Sequence, residues 1–252
     1  MKFLKGIYYR LKDAFYLFKG VPRIINGTTI RLQAKWCNFF WNGYEKDNFL
    51  FASSVINEQS TILDIGAHIG LFSIHLSKLT GSEGKVFAFE PTPFTRNVLL
   101  TTIRLNKAIN ISIQPYAVSN TNGEVVFNIM PGSVGISNSI VAIDHTVPVK
   151  VKTITIDTFR AENKIKIDFL KIDVEGAEYY ALLGAQQTFL EDRPTALMGI
   201  HPWQIKSMNS SLEQIWDLLQ QYGMKICCLG KPIVRDWFIS QTDLFDMELT
   251  PE

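Results

Sequence analysis

A chain of 252 residues with 46% hydrophobic and 19% charged side chains can bury a full core and is too apolar to be disordered. Lys and Arg number 25 against 24 Asp and Glu, a net charge of +1 that removes any overall electrostatic case for nucleic acid. No apolar run of about 18 residues is present, so no transmembrane helix is expected. The three cysteines, Cys37, Cys227 and Cys228, show no metal-ligand spacing and suit a reducing, cytoplasmic compartment.

The chain opens on MKFLKGIYYRLKDAFYLFKG. Lys2, Lys5, Arg10, Lys12 and Lys19 stand against Asp13, a local charge of +4 that leaves about −3 for the remainder. Phe3, Leu4, Ile7, Tyr8, Leu11, Phe15 and Phe18 recur at helical spacing. The segment lacks the continuous apolar block of a secretory signal. Two readings follow: a helix that packs on its own domain or on a partner subunit in a homodimer, or a basic amphipathic helix lying on the inner face of a membrane. Residues 1–50 are read as an N-terminal helical extension and 51–252 as one α/β domain. Trp36, Trp41 and Tyr44 are expected to cover one edge of its core.

From Thr61 onward, β-rich runs alternate with helical patterns. TILDI is a buried strand and 71–79 a helix. KVFAFE is a second strand and 93–107 a second helix. ISIQPYAVS is a third strand. EVVFNIM and VPVKVKTITI read as strands joined by the loop PGSVGISNS. DFLKIDV is a further buried strand, followed by a helix over 177–190. TALMGI is a strand, 209–222 a helix, MKICCL a strand and DWFIS a last edge strand. Such alternation predicts a doubly wound, mainly parallel, Rossmann-like sheet with helices on both faces. Ligands of these sheets sit at the carboxyl ends of the strands.

The first strand ends in DIGAHIG. A dinucleotide loop needs three glycines, and here Gly66 and Gly70 flank Ala67, His68 and Ile69. The middle glycine is missing, which disfavours a nicotinamide-dependent oxidoreductase, and no Gly-Lys-Ser/Thr follows to make a phosphate loop. Asp64, two residues before Gly66, would repel a phosphate and attract a cation. The loop therefore favours a phosphate-free nucleoside with a positive tail, and S-adenosylmethionine is one. Glu90 closes the next strand twenty residues after Gly70, where a carboxylate can accept both ribose hydroxyls.

DIGAHIG, FAFEP, TITIDTF, DFLKIDVEGAE and IHP occur in this order. Over roughly residues 42–230 the chain resembles the FkbM family of class I S-adenosylmethionine-dependent methyltransferases, LKIDVEGAE being the most specific piece. The family often carries Asn where this chain has His68. The resemblance implies methylation of a hydroxyl on a sugar or other hydroxylated small-molecule acceptor, and the basic amphipathic start leans toward a lipid-linked sugar. It implies that Gly66, Ala67, His68 and Gly70 line the methionine part of the cofactor. Asp64 then holds the loop and the amino group, Glu90 the ribose, and Tyr116 and Ala117 meet the adenine.

An alcohol must lose a proton when it is methylated, and two places offer a base. Asp173 ends its strand and Glu175 lies in the following turn, with Lys171 on the same strand face as Asp173. Asp173 is equally placed to touch the methionine amine. Glu178 reads as an acid in a helix's first turn. His201, after TALMGI, is the other candidate base. Asp173 and Glu175 lack a clear third protein ligand, so no metal is assigned. The loop residues Ser133, Ser137, Asn138 and Ser139 are expected to form a lid or acceptor wall. His75 is expected to be structural, and His145 falls in the inserted β region. The competing reading is a nucleoside-binding sensor or scaffold of the same fold that no longer catalyses.

Overall fold

The structure, a computed structural model, describes residues 2–16, 18–129 and 147–252. The expected lid over 131–139 and His145 lie outside the described residues. No helix among the described residues is long and apolar enough to cross a membrane.

The first elements are α1 (Lys2–Phe15), a hairpin of β1 (Val21–Ile25) and β2 (Thr28–Leu32), and α2 (Lys46–Val55), which runs across the expected boundary at residue 50. The hairpin turns at Asn26-Gly27, both in left-handed backbone, a pair suited to tight hairpins. Ile25, Ile30 and Leu32 from the hairpin and Phe49 and Ala52 from α2 share one apolar cluster with Ile62, Leu76, Val86 and Phe169. Trp36 is buried in it as expected. Trp41 is instead exposed, and Tyr44 turns toward a cleft described below.

The main domain runs β3 (Thr61–Ile65), α3 (Leu71–Thr80), β4 (Lys85–Phe89), α4 (Pro93–Asn106) and β5 (Ile111–Gln114). The strand expected over ISIQPYAVS then breaks. Pro115 has no N–H to give the ladder, and the chain leaves the main sheet there. Its second half is β6 (Tyr116–Val118), which joins β7 (Gly123–Ile129) and β8 (Val147–Ile154) in a separate three-stranded sheet, order β6-β8-β7. A helix absent from the sequence reading, α5 (Ile156–Asn163), follows, capped by Thr155 Oγ1 accepting from the Thr158 amide.

Next come β9 (Phe169–Ile172), α6 (Glu178–Leu183), β10 (Thr195–Ile200), α7 (Pro202–Ser207), α8 (Leu212–Gln221), β11 (Met224–Cys228), β12 (Lys231–Pro232), α9 (Arg235–Ile239) and β13 (Phe245–Pro251). The helix expected over 177–190 stops at Leu183, and a π-helical turn over Thr188–Asp192 takes its place, held where Asp157 accepts from the Gln187 and Thr188 amides. DWFIS is helix α9 and not an edge strand, because Phe238 packs under α8 against Trp216.

The main sheet has the order β12-β11-β13-β10-β9-β3-β4-β5. Its centre, β10-β9-β3-β4-β5, is parallel, and β13 enters antiparallel between β10 and β11. The alternation along β3 builds two cores: Ile62 points into the cluster beneath the hairpin and α2, Leu63 and Ile65 into one with α5, α6 and α8. The chain leaves β3 in one direction toward β4 and β5 and later fills the other side with β9 and β10. That reversal opens a crevice at the carboxyl ends of β3 and β9.

Candidate active site

A cleft of about 1100 Å³, counting the space open to solvent, lies at this switch point. Its floor is the loop after β3. The Gly66 and Ala67 amides both donate to the Phe89 carbonyl, at 3.1 and 2.9 Å, tying the loop to the end of β4. Asp173 N donates to the Ile65 carbonyl at 2.9 Å, tying it to β9. Gly66 has φ +85°, and a Cβ there would sit 1.9 Å from the Asp173 carbonyl oxygen. Only glycine lets the two strand ends meet. His68 has φ +51°. His tolerates this left-handed region better than most residues.

Of the residues expected to hold a cofactor, Gly66, Ala67, His68, Glu90, Tyr116, Ala117 and Asp173 line the cleft. Asp64 and Gly70 lie beneath it. Asp64 is 0% exposed and accepts from Ser73 Oγ on α3, while its Oδ1 has no partner among the described residues. Its place is the latch between β3 and α3. Burial raises its pKa, with Lys171, its register partner on β9, and Ser73 opposing the rise.

Glu90 closes β4 and is buried. Thr92 donates to Glu90 Oε1 twice, from its amide at 2.8 Å and its hydroxyl at 2.6 Å. Burial still pushes the carboxyl up to about 7, against those two bonds, Arg96 and the His68 amide. Thr95, in the first turn of α4, lines the same wall with a buried hydroxyl that has no partner among the described residues.

Asp173 and Glu175 face the cleft from the end of β9. Lys171 Nζ, buried on the same strand face, reaches Asp173 Oδ2 at 3.0 Å and lies 5.4 Å from the Phe72 ring centre. Burial would raise the pKa of Asp173, but Lys171 and His201 more than offset it and hold the carboxyl below its usual range. Burial would lower Lys171, and Asp173, Glu45 and Asp64 together raise it instead. Glu175 sits in left-handed backbone (φ +53°) before Gly176 (φ +108°). Burial pushes its pKa up to about 7, opposed by His201 and helped by Asp173 and Glu178.

His201 is not on the cleft wall. It is 4% exposed, behind the two carboxylates, with Nε2 at 3.6 Å from Asp173 Oδ1 and 3.7 Å from Glu175 Oε2. Nδ1 lies 2.7 Å from Glu178 Oε1, and Glu178 is 0% exposed. Glu178 is therefore the buried anchor of the histidine as well as a first-turn acid. Burial would lower the pKa of His201, yet Glu178, Asp173 and Glu175 drive it up to about 9. At neutral pH it is an imidazolium, which holds no free lone pair for a proton. The expectation that His201 is a base poised at the cleft is corrected by this placement: three carboxylates surround it and keep it charged.

Several lining residues had no sequence signal. Phe40, Tyr44 and Glu45 come from the stretch before α2, and Phe127 from β7. Burial raises the Tyr44 pKa, with Glu45 adding to the rise. His75 is structural as expected, stacked 4.3 Å from Phe49 and bonded to Thr28 Oγ1 at 2.8 Å, with burial pulling it down to about 4. Among the described residues, no group of three or more His, Cys, Asp or Glu side chains is placed to hold a metal ion.

Residues 64–226 match the Methyltransferase FkbM domain, from the buried Asp64 to the middle of β11. The chain belongs to the FkbM methyltransferase family. It is 24% identical over 147 residues to "Methyltransferase 1" of Beauveria bassiana, a match covering 50% of this chain and 59% of that protein. It is 27% identical over 161 residues to "Methyltransferase sdnD" of Sordaria araneosa, covering 52% of this chain and 62% of that protein. The matched stretch thus spans about three-fifths of each fungal relative. A crystal structure of a methyltransferase FkbM from Methylobacillus flagellatus superposes with a TM-score of 0.52 at 16% identity, over 79% of this chain and 47% of that one. That likeness shows the fold, a Rossmann-like methyltransferase sheet.

Proposed function

We propose that this FkbM-family protein transfers the methyl group of S-adenosylmethionine to a hydroxyl oxygen of a glycan, glycolipid or natural-product acceptor. The observation that carries this reading is the charge of the cleft wall. Among the described residues, Glu45, Glu90, Asp173 and Glu175 line it, and Lys171 is the one Lys or Arg beside them. A dinucleotide's phosphates would meet carboxylates there, whereas a nucleoside bearing a sulfonium and an ammonium meets complementary charge. The Thr95 hydroxyl beside the Glu90 loop, without a partner among the described residues, supports a polar ligand group at the same wall.

The cofactor, when bound, supplies a methyl group on a sulfur that departs as a neutral thioether. The chain's own residues bind, orient and take the proton. Glu90 accepts the ribose hydroxyls, Tyr116 and Ala117 flank the adenine, and Asp173, kept ionised by Lys171 and His201, faces the ammonium. Glu175 is the proton acceptor for the acceptor hydroxyl, since a base contributes most when its pKa lies near the working pH, typically about 10²–10⁴-fold. His201 is a positioning residue: it holds Asp173 and Glu175 on one side and is anchored by Glu178 on the other.

The test is transfer of labelled methyl from S-adenosylmethionine to a panel of sugars, lipid-linked sugars and hydroxylated small molecules. Calorimetric titration with S-adenosylhomocysteine accompanies it, with NAD as control. Binding of NAD and not of S-adenosylhomocysteine would overturn the reading. Binding without transfer to any member of the panel would favour the non-catalytic sensor.

A further inference from the structure

Helix α1 is docked on the protein by its less apolar side. Tyr9, Lys12, Asp13 and Tyr16 are half-buried, and their spacing puts them on one helix face. Tyr9 and Tyr16 pack against the cluster beneath the hairpin, and Asp13 Oδ1 accepts from the Ala34 amide at 2.8 Å. At about 100° per residue, Ile7, Leu11 and Phe15 project from the opposite side. All three are exposed, Leu11 at 66% and Phe15 at 80%, and Phe18, just past the helix, is 72% exposed. A continuous wet apolar stripe of this kind marks a surface that meets something.

The cations say what it meets. Lys5, Arg10 and Lys19 are exposed and Lys12 is half-buried. On the helical wheel Arg10 falls on one flank of the apolar stripe, while Lys12 lies on the docked side and Lys5, on that same side, is exposed near the start of the helix. The one acid of the segment, Asp13, is turned inward onto Ala34. The outward side is thus apolar at its centre, bordered by Arg10, with Lys5 and Lys19 exposed toward its two ends, and free of acids. That is the pattern of a helix lying in an anionic headgroup layer, with long cationic side chains reaching back to phosphates. Two more exposed aromatics, Phe39 and Trp41, follow in the chain, Phe39 5.8 Å from the Trp36 ring.

We propose that α1 docks the protein on an anionic lipid surface, with Ile7, Leu11, Phe15 and Phe18 entering the headgroup boundary and the exposed Lys5, Arg10 and Lys19 meeting lipid phosphates. The surface is coupled to the cleft by direct contacts. The Ala34–Trp36 turn packs on α1, the Trp41 ring meets Tyr44 at 5.3 Å, and Tyr44 lines the cleft. Docking therefore fixes the cleft relative to the lipid, and a lipid-linked acceptor is the substrate such an arrangement serves. The docking itself does not rest on the methyl-transfer reading, and its test reads binding alone.

The experiment is co-sedimentation of the full chain with phosphatidylcholine vesicles, with and without phosphatidylglycerol, at low and high salt. Binding should require phosphatidylglycerol and weaken with salt. Arg10→Gln or Lys5→Gln should each lower the partition coefficient about fivefold. Leu11→Asp and Phe15→Asp should abolish sedimentation while the melting temperature and S-adenosylhomocysteine affinity stay unchanged. Equal binding to both vesicle types, or to neither, overturns the proposal. So does a lipid-free dimer that Phe15→Asp converts to monomer, since a second copy would then occupy the face.

Discussion

Glu90 offers the sharpest test of how the cleft holds a nucleoside. Its carboxyl is buried and bonded twice by Thr92, yet burial lifts it from 4.5 to about 7. At about 1.4 kcal/mol per pKa unit, holding the charge in the empty protein costs about 3 kcal/mol. Ribose hydroxyls donating to the carboxylate would repay that, at about 1.5–3 kcal/mol for each bond to a charged group. Glu90→Ala should therefore weaken S-adenosylhomocysteine binding by roughly 100-fold, allowing for the water bonds regained. The pH dependence is more telling. The carboxyl is protonated below about 7 in the free protein and ionised in the complex, so binding releases a proton. Affinity should be flat above about pH 8 and fall by up to tenfold per unit as pH drops through 7. Glu90→Gln should flatten that limb at a weaker plateau, which separates Glu90 from Glu175, also raised to about 7. Thr92→Val removes the 2.6 Å bond that favours the carboxylate and should move the inflection to higher pH. Calorimetry in buffers of different ionisation heat reads the proton release directly. No proton release at pH 7, with affinity unchanged in Glu90→Ala, would refute the ribose assignment.

The same site carries three further expectations. Glu175→Gln should lower turnover about 10²–10⁴-fold and leave S-adenosylhomocysteine affinity within a few-fold; in the parent protein turnover should rise with pH through about 7, as the base ionises. His201→Gln strands the fully buried Glu178 carboxyl and should cost about 3–5 kcal/mol of stability, most of it recovered in the double variant with Glu178→Gln. Because the folded-state pKa of His201 is raised from 6.5 to about 9, its contribution is full below pH 6.5 and lost as pH rises through 9, so the two melting temperatures should converge over that window. Gly66→Ala forces a Cβ against the Asp173 carbonyl at a positive φ and should cost about 2–4 kcal/mol, roughly 5–15 °C in melting temperature. A soluble, normally melting Gly66→Ala protein would sink that account.

The sequence was legible where local pattern and tertiary environment agree. TILDI, KVFAF and TALMGI are short apolar runs ended by a turn, and each is a strand of the parallel centre. Because a parallel sheet puts its ligand at strand ends, the residues just after those runs were readable as the site. Depth was not readable. Both Asp173 and His201 follow strand ends, and only packing sets the first on the cleft wall and the second behind it. Glu178 in a helix's first turn looks solvated in sequence; the whole of α6 must dock before its burial exists. Tyr44 and Glu45 reach the cleft from more than a hundred residues away along the chain from Asp173, which no spacing rule captures. Phe245, Met247 and Leu249 do alternate as a strand should, but DWFIS before them competed for the last strand. Five aromatic-rich residues do not distinguish a helix turn from an edge strand until Phe238 finds its place beneath α8.

The arrangement of charge gives the site a direction. Glu45, Glu90, Asp173 and Glu175 face the cleft, the largely buried Lys171 lines it beside Asp173, and the buried His201 lies behind Asp173 and Glu175. Two of the four carboxyls, Glu90 and Glu175, stay partly protonated near neutral pH because burial outweighs what lowers them, the Thr92 bonds and Arg96 at Glu90 and His201 and Lys171 at Glu175. The empty site thus holds protons where a positive ligand would sit. A donor bearing a sulfonium should displace them, and the neutral thioether product should not do so as fully. The prediction is a charge ranking. S-adenosylmethionine should bind more tightly than S-adenosylhomocysteine, and its advantage should grow as pH rises through 7 and the two carboxyls ionise. Salt screens the half-buried Asp173 and Glu175 more than the buried Glu90, so the ranking should narrow at high ionic strength and persist through Glu90. A preference for the neutral product at pH 8 would mean that shape, and not the carboxylate wall, selects the ligand.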